Sequence, residues 1–204
     1  VLVGEEPDAP YERPPLSKGL LTGAQDEASC ALRPAEAWAQ DGIQRIVGRA
    51  VALSPAQRTL TLADGRVLAW DRLLLATGGH ARRPAIPGAE LPGVLALRTL
   101  ADARALAPRL AAGLLLVVIG GGFIGLEVAA SARERGAEVT VLEAGPRLLG
   151  RVVPAPVAER VAALHRAHGV VLEVGLAPVA IEPAAGDALD VRLADGRTLL
   201  ADTV

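Results

Sequence analysis

Residues 114–143 read LLLVVIGGGFIGLEVAASARERGAEVTVLE, and their order of strand, glycine turn, helix and strand decides the fold. Leu114 to Ile119 is an unbroken apolar run, the pattern of a parallel strand buried on both faces. Gly120, Gly122 and Gly125 follow at GxGxxG spacing, and a helical pattern starts at once. Phe123, Leu126 and Ala130 share one face of that helix, and Gly136 is its stop after the charged Arg133, Glu134 and Arg135. Val139 to Leu142 is a second apolar strand, closed by Glu143, 23 residues after Gly120.

Each part has a physical role in holding a dinucleotide. Gly120 permits the tight turn, Gly122 lets a pyrophosphate approach the backbone, and Gly125 lets helix and strand pack closely. The free N–H groups and positive dipole end of the helix receive the phosphates. Glu143 at the strand tip suits the adenosine ribose hydroxyls and repels a 2′-phosphate, so the predicted ligand is NAD rather than NADP. Isolated GxGxxG spacing is weak as a signal. The strand before it, the helix after it and the acid at this distance make it specific.

Working outward, 204 residues allow one domain or two small ones with a real core. That core must be Leu, Val, Ala and Ile, because only 2% of residues are aromatic. A net charge of −2 offers no electrostatic handle for nucleic acid or an anionic membrane. The longest apolar runs, about six residues, are far short of a membrane span, and no secretory signal opens the chain. Cys30 is the single cysteine, which excludes an internal disulfide, and the compartment expected is the cytoplasm. No metal site is expected, since His165 and His168 have neither a carboxylate nor a cysteine partner at ligand spacing.

In chain order, Val1 to Gly4 reads as a strand tip followed by Glu5 and Glu6. YERPPLSKGLLTG, residues 11–23, carries Arg13 and Lys18 beside a short helix predicted to begin near Ser17; cations there oppose the dipole and suit an anionic ligand, although solvated surface cations are the plain alternative. Residues 33–40 read as a short helix with Trp38 as a core or interdomain anchor. Residues 43–51, 58–62 and 67–69 read as strands, with a hairpin turn at residues 63–66. Residues 72–76 read as a buried strand ending in Thr77-Gly78-Gly79, where small residues suit a ligand. A Pro- and Gly-rich linker and a helix over 99–110 with a Thr-x-x-Asp start come next. Beyond the glycine motif, 154–168 is predicted as a helix with Val157, Val161 and Leu164 on one face; then come a strand at 170–174 and a hairpin at 191–200.

The chain also repeats itself. LADGR at 62–66 recurs at 193–197, an offset of 131, and Asp71 matches Asp202 at the same offset. Two related nucleotide-binding units are therefore predicted, the glycine fingerprint of the first lying upstream of residue 1. Both ends read as cut from a longer protein.

YERPPLSK, LLLATG, VVIGGGFIGLE and VLEAGPRLLGR together resemble the FAD-dependent NADH:ferredoxin and rubredoxin reductases of the pyridine nucleotide-disulfide oxidoreductase superfamily. The resemblance spans essentially the whole chain, with its motifs in the family's order. It implies an α/β fold of two Rossmann-like, three-layer ββα nucleotide-binding domains, each with a small β-meander. A partial FAD-binding domain would occupy 1–112, lacking its glycine motif, and an NAD-binding domain 113–204. Carried over, Glu5 resembles the acid on the FAD ribose, with Glu6 as a neighbouring alternative. Val51 matches an adenine contact, and Ala76, Thr77 and Gly78 the turn beside the FAD pyrophosphate. Arg13, Lys18 and Arg98 match flavin-site cations, Lys18 being expected near the reactive edge of the ring. On the NAD side Gly120, Gly122, Phe123, Ile124, Gly125 and Glu143 form the binding set. Glu127 matches a glutamate near the nicotinamide, or else is an acid complementing the helix dipole. Lys18 and Glu127 are thus the two catalytic candidates.

The implied chemistry is hydride transfer from NADH to FAD, then single electrons to a ferredoxin or rubredoxin. No protein nucleophile is expected: where related peroxidases and oxidases place a reactive cysteine, this chain has Ser17-Lys18. Two other classes stay open, a thiol-independent NADH oxidase or nitrite-reductase-like component, and a non-catalytic NAD-binding redox sensor.

Overall fold

The computed structural model describes residues 1–204. The strands are β1 (Leu2–Gly4), β2 (Arg45–Val47), β3 (Ala50–Ser54), β4 (Thr59–Leu62), β5 (Val67–Ala69), β6 (Leu115–Ile119), β7 (Glu138–Glu143), β8 (Val170–Val174), β9 (Pro178–Pro183), β10 (Leu189–Leu193) and β11 (Thr198–Ala201). The α-helices are α1 (Gly19–Thr22), α2 (Ala35–Gln40), α3 (Leu100–Leu106), α4 (Phe123–Glu134) and α5 (Ala155–Ala167). The chain packs as two compact units, Val1–Glu12 with Glu27–His80, and Arg13–Asp26 with Ala81–Val204.

In the first unit β1 and β2 pair in parallel, and β3-β4-β5 form an antiparallel meander. Its hairpin turns at Asp64-Gly65, where the Asp64 carboxylate accepts the Arg66 N–H at 3.1 Å and so closes the turn. The strand expected at 72–76 is absent: residues 72–79 enter no ladder, and Leu74 and Leu75 are 86% and 62% exposed. An apolar run forms a buried strand only where neighbouring strands supply its hydrogen bonds, and none does so here. Trp38 is likewise no core anchor. It lies half-buried on α2, a helix with no buried residue, with the Arg33 guanidinium 5.0 Å from the centre of its ring.

In the second unit β6-β7-β8 form a parallel sheet with β7 in the middle, and β11-β10-β9 form a second meander. Successive strand residues face opposite ways, and β6 uses both sides. Val117 packs with Leu142 against Val191, Leu193 and Ala201 of the meander, while Val118 faces α4 at Gly125. The layering is meander, sheet, helix, the ββα order expected from the sequence. Burying side chains such as Leu142 and Val191 completely stabilises each by roughly 1.5–3 kcal/mol. The Asp202 carboxylate accepts the Leu115 N–H at 2.7 Å, and Thr203 pairs in parallel with Leu116; the chain thus returns from the meander to the edge of the sheet. The second hairpin turn copies the first, Asp195 accepting the Arg197 N–H at 3.1 Å.

The linker at 84–93 docks on this meander, with the Ile181 N–H donating to Pro87 at 2.9 Å. Helix α3 starts at the expected residue with a reciprocal Thr99–Asp102 capping box. Helix α5 spans its expected range but turns a different face inward. Ala158 and Ala162 are buried, whereas Val157 and Leu164 are 49% and 58% exposed. Small side chains let the helix approach β8 closely; of the bulkier residues Val157 and Leu164 point away, while Val161 is half-buried. No helix is long and apolar enough to cross a membrane.

Candidate functional site

Strand β6 ends at Ile119, and Gly120 turns the chain at φ +111°, a conformation L side chains rarely adopt. Its N–H donates to Leu142 at 2.8 Å, tying the turn to β7. Gly122 caps α4 without any side-chain capping bond, so the first N–H groups of the helix are left for a ligand. A Cβ on Gly122 would meet nothing within 4 Å, whereas one on Gly125 would lie 2.2 Å from the Gly120 carbonyl and 3.1 Å from Val118 Cγ1. The two glycines therefore do different jobs: Gly125 permits contact between helix and strand, and Gly122 keeps the approach to the helix end open. On the inner face of α4, Leu126, Val128, Ala129 and Ala132 are buried; Phe123, at 55% exposure, and Ala130 look outward.

Glu143 is fixed more firmly than its position at a strand end suggests. One carboxylate oxygen accepts the Gly121 N–H at 2.9 Å and the other the Gly145 N–H at 2.7 Å. Each oxygen keeps a lone pair for a further donor. The turn, Phe123, Ile124 and Glu143 line a cleft of about 950 Å³ with Arg147 and Arg151 on its wall. A glycine cradle, an open helix N-terminus and an acceptor-only carboxylate form a donor and acceptor set that fits the pyrophosphate and ribose of a dinucleotide.

The same helix carries a second constellation. Glu127 accepts the Ser17 hydroxyl at 2.5 Å and the Lys18 ammonium at 2.8 Å on one oxygen. One turn on, Ser131 donates to the Ser17 carbonyl at 2.8 Å; a further turn on, Arg135 donates to the Leu21 carbonyl at 2.6 Å. Residues four apart share a helix face, so Glu127, Ser131 and Arg135 form a polar stripe that clamps residues 17–21. Burial raises the Glu127 pKa, but the hydrogen bonds from Lys18 and Ser17 and the Lys18 charge together outweigh it and hold the carboxyl below its ordinary value. Glu127 is the fifth residue of α4, past the first turn where an acid serves the dipole. Arg13 donates to the Arg98 carbonyl at 2.6 Å, and the Arg98 N–H donates to Asp102 at 2.9 Å.

A lowered carboxyl pKa stabilises the fold above the unfolded value, and that stability is lost as pH falls through the folded value. Glu127→Gln is therefore expected to flatten the acid limb of the stability profile below the reference value of 4.5. Thermal melts from roughly pH 3 to 6 check this; identical acid limbs for wild type and variant would mean that the pair contributes nothing to stability.

The first unit holds the remaining candidates. The Glu5 carboxylate lies 3.5 Å from Arg49, with both side chains largely exposed, and Tyr11 donates to Glu6. Val51 is 56% exposed on β3, and Ala76, Thr77 and Gly78 lie exposed in an irregular segment. Cys30 is buried. No group of three or more His, Cys, Asp or Glu residues is placed to hold a metal.

Sequence reasoning overlooked the Ser17 hydroxyl, Ser131, Arg135, Arg147 and Leu149. The i, i+4, i+8 spacing of Glu127, Ser131 and Arg135 was a readable signal of a polar stripe. The Ser17 contact spans 110 residues and had no local signal.

The whole chain, residues 1–204, matches the pyridine nucleotide-disulphide oxidoreductase family. It is 42% identical over 205 residues to rhodocoxin reductase of Rhodococcus erythropolis, covering 100% of this chain and 48% of that protein. To the rubredoxin-NAD(+) reductase of Pseudomonas putida it is 36% identical over 204 residues, covering 100% of this chain and 53% of that one. A chain of a covalent putidaredoxin reductase–putidaredoxin complex superposes with a TM-score of 0.92 at 38% identity, over 100% of this chain and 50% of that one. The chain spans about half the length of these relatives.

Proposed function

The chain belongs to the pyridine nucleotide-disulphide oxidoreductase family, and from that premise we propose that it is the nucleotide-binding part of an NADH-dependent flavoprotein reductase serving a ferredoxin or rubredoxin. The observation that carries this reading is on α4. The helix whose N-terminus is the glycine turn also bears Glu127, which grips Lys18 at 2.8 Å. One rigid element thus links a dinucleotide cradle to a fixed cation.

In this reading Gly120, Gly122, Phe123, Ile124 and Gly125 receive the NAD pyrophosphate, Glu143 its adenosine ribose, and Glu127 lies toward the nicotinamide. FAD is the second cofactor. Glu5 takes its ribose, Val51 its adenine, Ala76, Thr77 and Gly78 its pyrophosphate, and Arg13, Lys18 and Arg98 its ring. Arg13 and Lys18, anchored on the Arg98 and Pro14 carbonyls, suit an anionic ligand. Residues 1–112 then belong to the FAD-binding domain and 113–204 to the NAD-binding domain, in a cytoplasmic protein.

Bound FAD would supply the redox chemistry that links two-electron hydride transfer from NADH to one-electron transfer to the acceptor. The chain's own residues bind and orient. Glu143 aims the adenosine end through ribose hydroxyls, and the start of α4 neutralises the pyrophosphate. Lys18, kept in place by Glu127, supplies positive charge where negative charge develops on reduction.

The test is a visible spectrum of the protein expressed from its complete gene, before and after anaerobic NADH. The expected result is a flavin spectrum that bleaches with NADH far more readily than with NADPH and recovers on adding oxidised ferredoxin or rubredoxin. Recovery only with oxygen or nitrite would favour an oxidase or nitrite-reductase-like component. NAD binding without any flavin would replace the reductase by a redox-sensing module.

A further inference from the structure

The loop after β7, residues 144–154, is fastened to the glycine turn in a way the dinucleotide fingerprint does not require. Gly121 is gripped on both sides: Glu143 accepts its N–H at 2.9 Å, and the Leu149 N–H donates to its carbonyl at 2.9 Å. Leu148 fills the space a side chain on Gly121 would need, with Cδ2 2.4 Å from an ideal Cβ. Leu148 and Leu149 are both buried, at 2% and 5% exposure. To present its N–H, Leu149 adopts φ +51°, a left-handed conformation that leucine disfavours. Such backbone persists only where its surroundings over-determine it.

Arg147 provides that constraint. Its guanidinium donates to the Val153 carbonyl and to the Gly150 carbonyl, both at 2.9 Å. The Val152 and Val153 N–H groups close back onto the Leu149 carbonyl at 3.0 and 3.2 Å. The rigid fork of arginine spans two acceptors at once, which a lysine ammonium on a flexible stem does not reproduce.

We propose that Arg147 is a positioning residue for dinucleotide binding: it folds residues 147–153 into a strap whose Leu149 N–H sets the Gly121 peptide, and with it the open helix end and the Glu143 carboxylate. The inference rests on reading this cleft as a dinucleotide site. Arg147 also lines the cleft, so a direct contact between its charge and a phosphate is the competing explanation, and the two differ in what lysine does.

ADP-ribose is the probe, since it fills the adenosine and pyrophosphate parts of the site without needing flavin. Calorimetric titration compares the wild type with Arg147→Ala, Arg147→Lys and Arg133→Ala. Arg133 is a control of the same kind: it donates to the Ala137 and His168 carbonyls at 2.6 and 3.0 Å, away from the turn. Positioning predicts that the alanine and lysine variants at Arg147 both weaken binding about tenfold or more, while Arg133→Ala stays within about twofold. Wild-type affinity in Arg147→Lys would overturn the proposal in favour of a charge contact. An equal loss in Arg133→Ala would reduce it to general destabilisation. If the wild type itself does not bind ADP-ribose, the dinucleotide reading of the cleft fails, and that result is distinct from both.

Discussion

Gly125→Ala is expected to abolish useful dinucleotide binding and to lower the melting temperature, whereas Gly122→Ala should cost binding alone. A methyl on Gly125 would lie 2.2 Å from the Gly120 carbonyl, a backbone atom that cannot rotate away. Gly120 is itself tied through its N–H to Leu142, so relief must come from parting α4 from β6. Overpacking of this kind costs about 1–3 kcal/mol, and each kcal/mol lowers Tm by roughly 2–4 °C in a chain of this size. Because the displaced atoms form the proposed phosphate cradle, affinity for ADP-ribose should fall about a hundredfold. At Gly122 the backbone is extended, at φ −85°, and a methyl meets nothing within 4 Å. The fold tolerates that methyl, which occupies only the open space assigned to the pyrophosphate in the proposed site. Melting curves and ADP-ribose titrations on the pair decide the matter. A Gly125→Ala protein that melts with the wild type would show that the contact between helix and strand yields more easily than its geometry implies.

Glu143→Gln should be destabilising as well as harmful to binding. Both carboxylate oxygens already accept backbone N–H groups, from Gly121 and Gly145. Glutamine matches the shape but turns an NH₂ donor toward one of those donors. A donor left facing a donor in a partly buried site costs about 1–3 kcal/mol. The variant should therefore melt earlier and bind ADP-ribose weakly, without gaining affinity for the 2′-phosphorylated analogue. A glutamate that only contacted ligand would lose affinity at unchanged Tm, and that outcome would separate Glu143 from the architecture of the turn.

Much of this site was legible in the chain itself. The sequence from β6 through the glycine turn and α4 to β7 follows from an apolar run, three spaced glycines and a helical pattern, all features that act over a few residues. The capping box at Thr99 and the two Asp-Gly hairpins were readable for the same reason, since a turn or cap is satisfied by its own neighbours. The buried face of α5 was misjudged because hydrophobic size favoured Val157 and Leu164, while contact with the sheet selected Ala158 and Ala162. The apolar residues at 72–76 were misjudged because a strand needs partners that its own sequence does not contain.

The order of elements around Gly120 and the acid after β7 are written in the local chain, because steric freedom and short-range hydrogen bonding settle them within a few residues. The recurrence of one hairpin turn in two places is equally local. What the polar side chains hold follows instead from the packed fold. Ser17 reaches Glu127 across 110 residues of chain, Ser131 meets the Ser17 carbonyl across 114, and Glu143 spends both oxygens on backbone N–H groups before any ligand arrives. Such contacts depend on which distant surfaces pack together, and packing is a property of the folded chain as a whole.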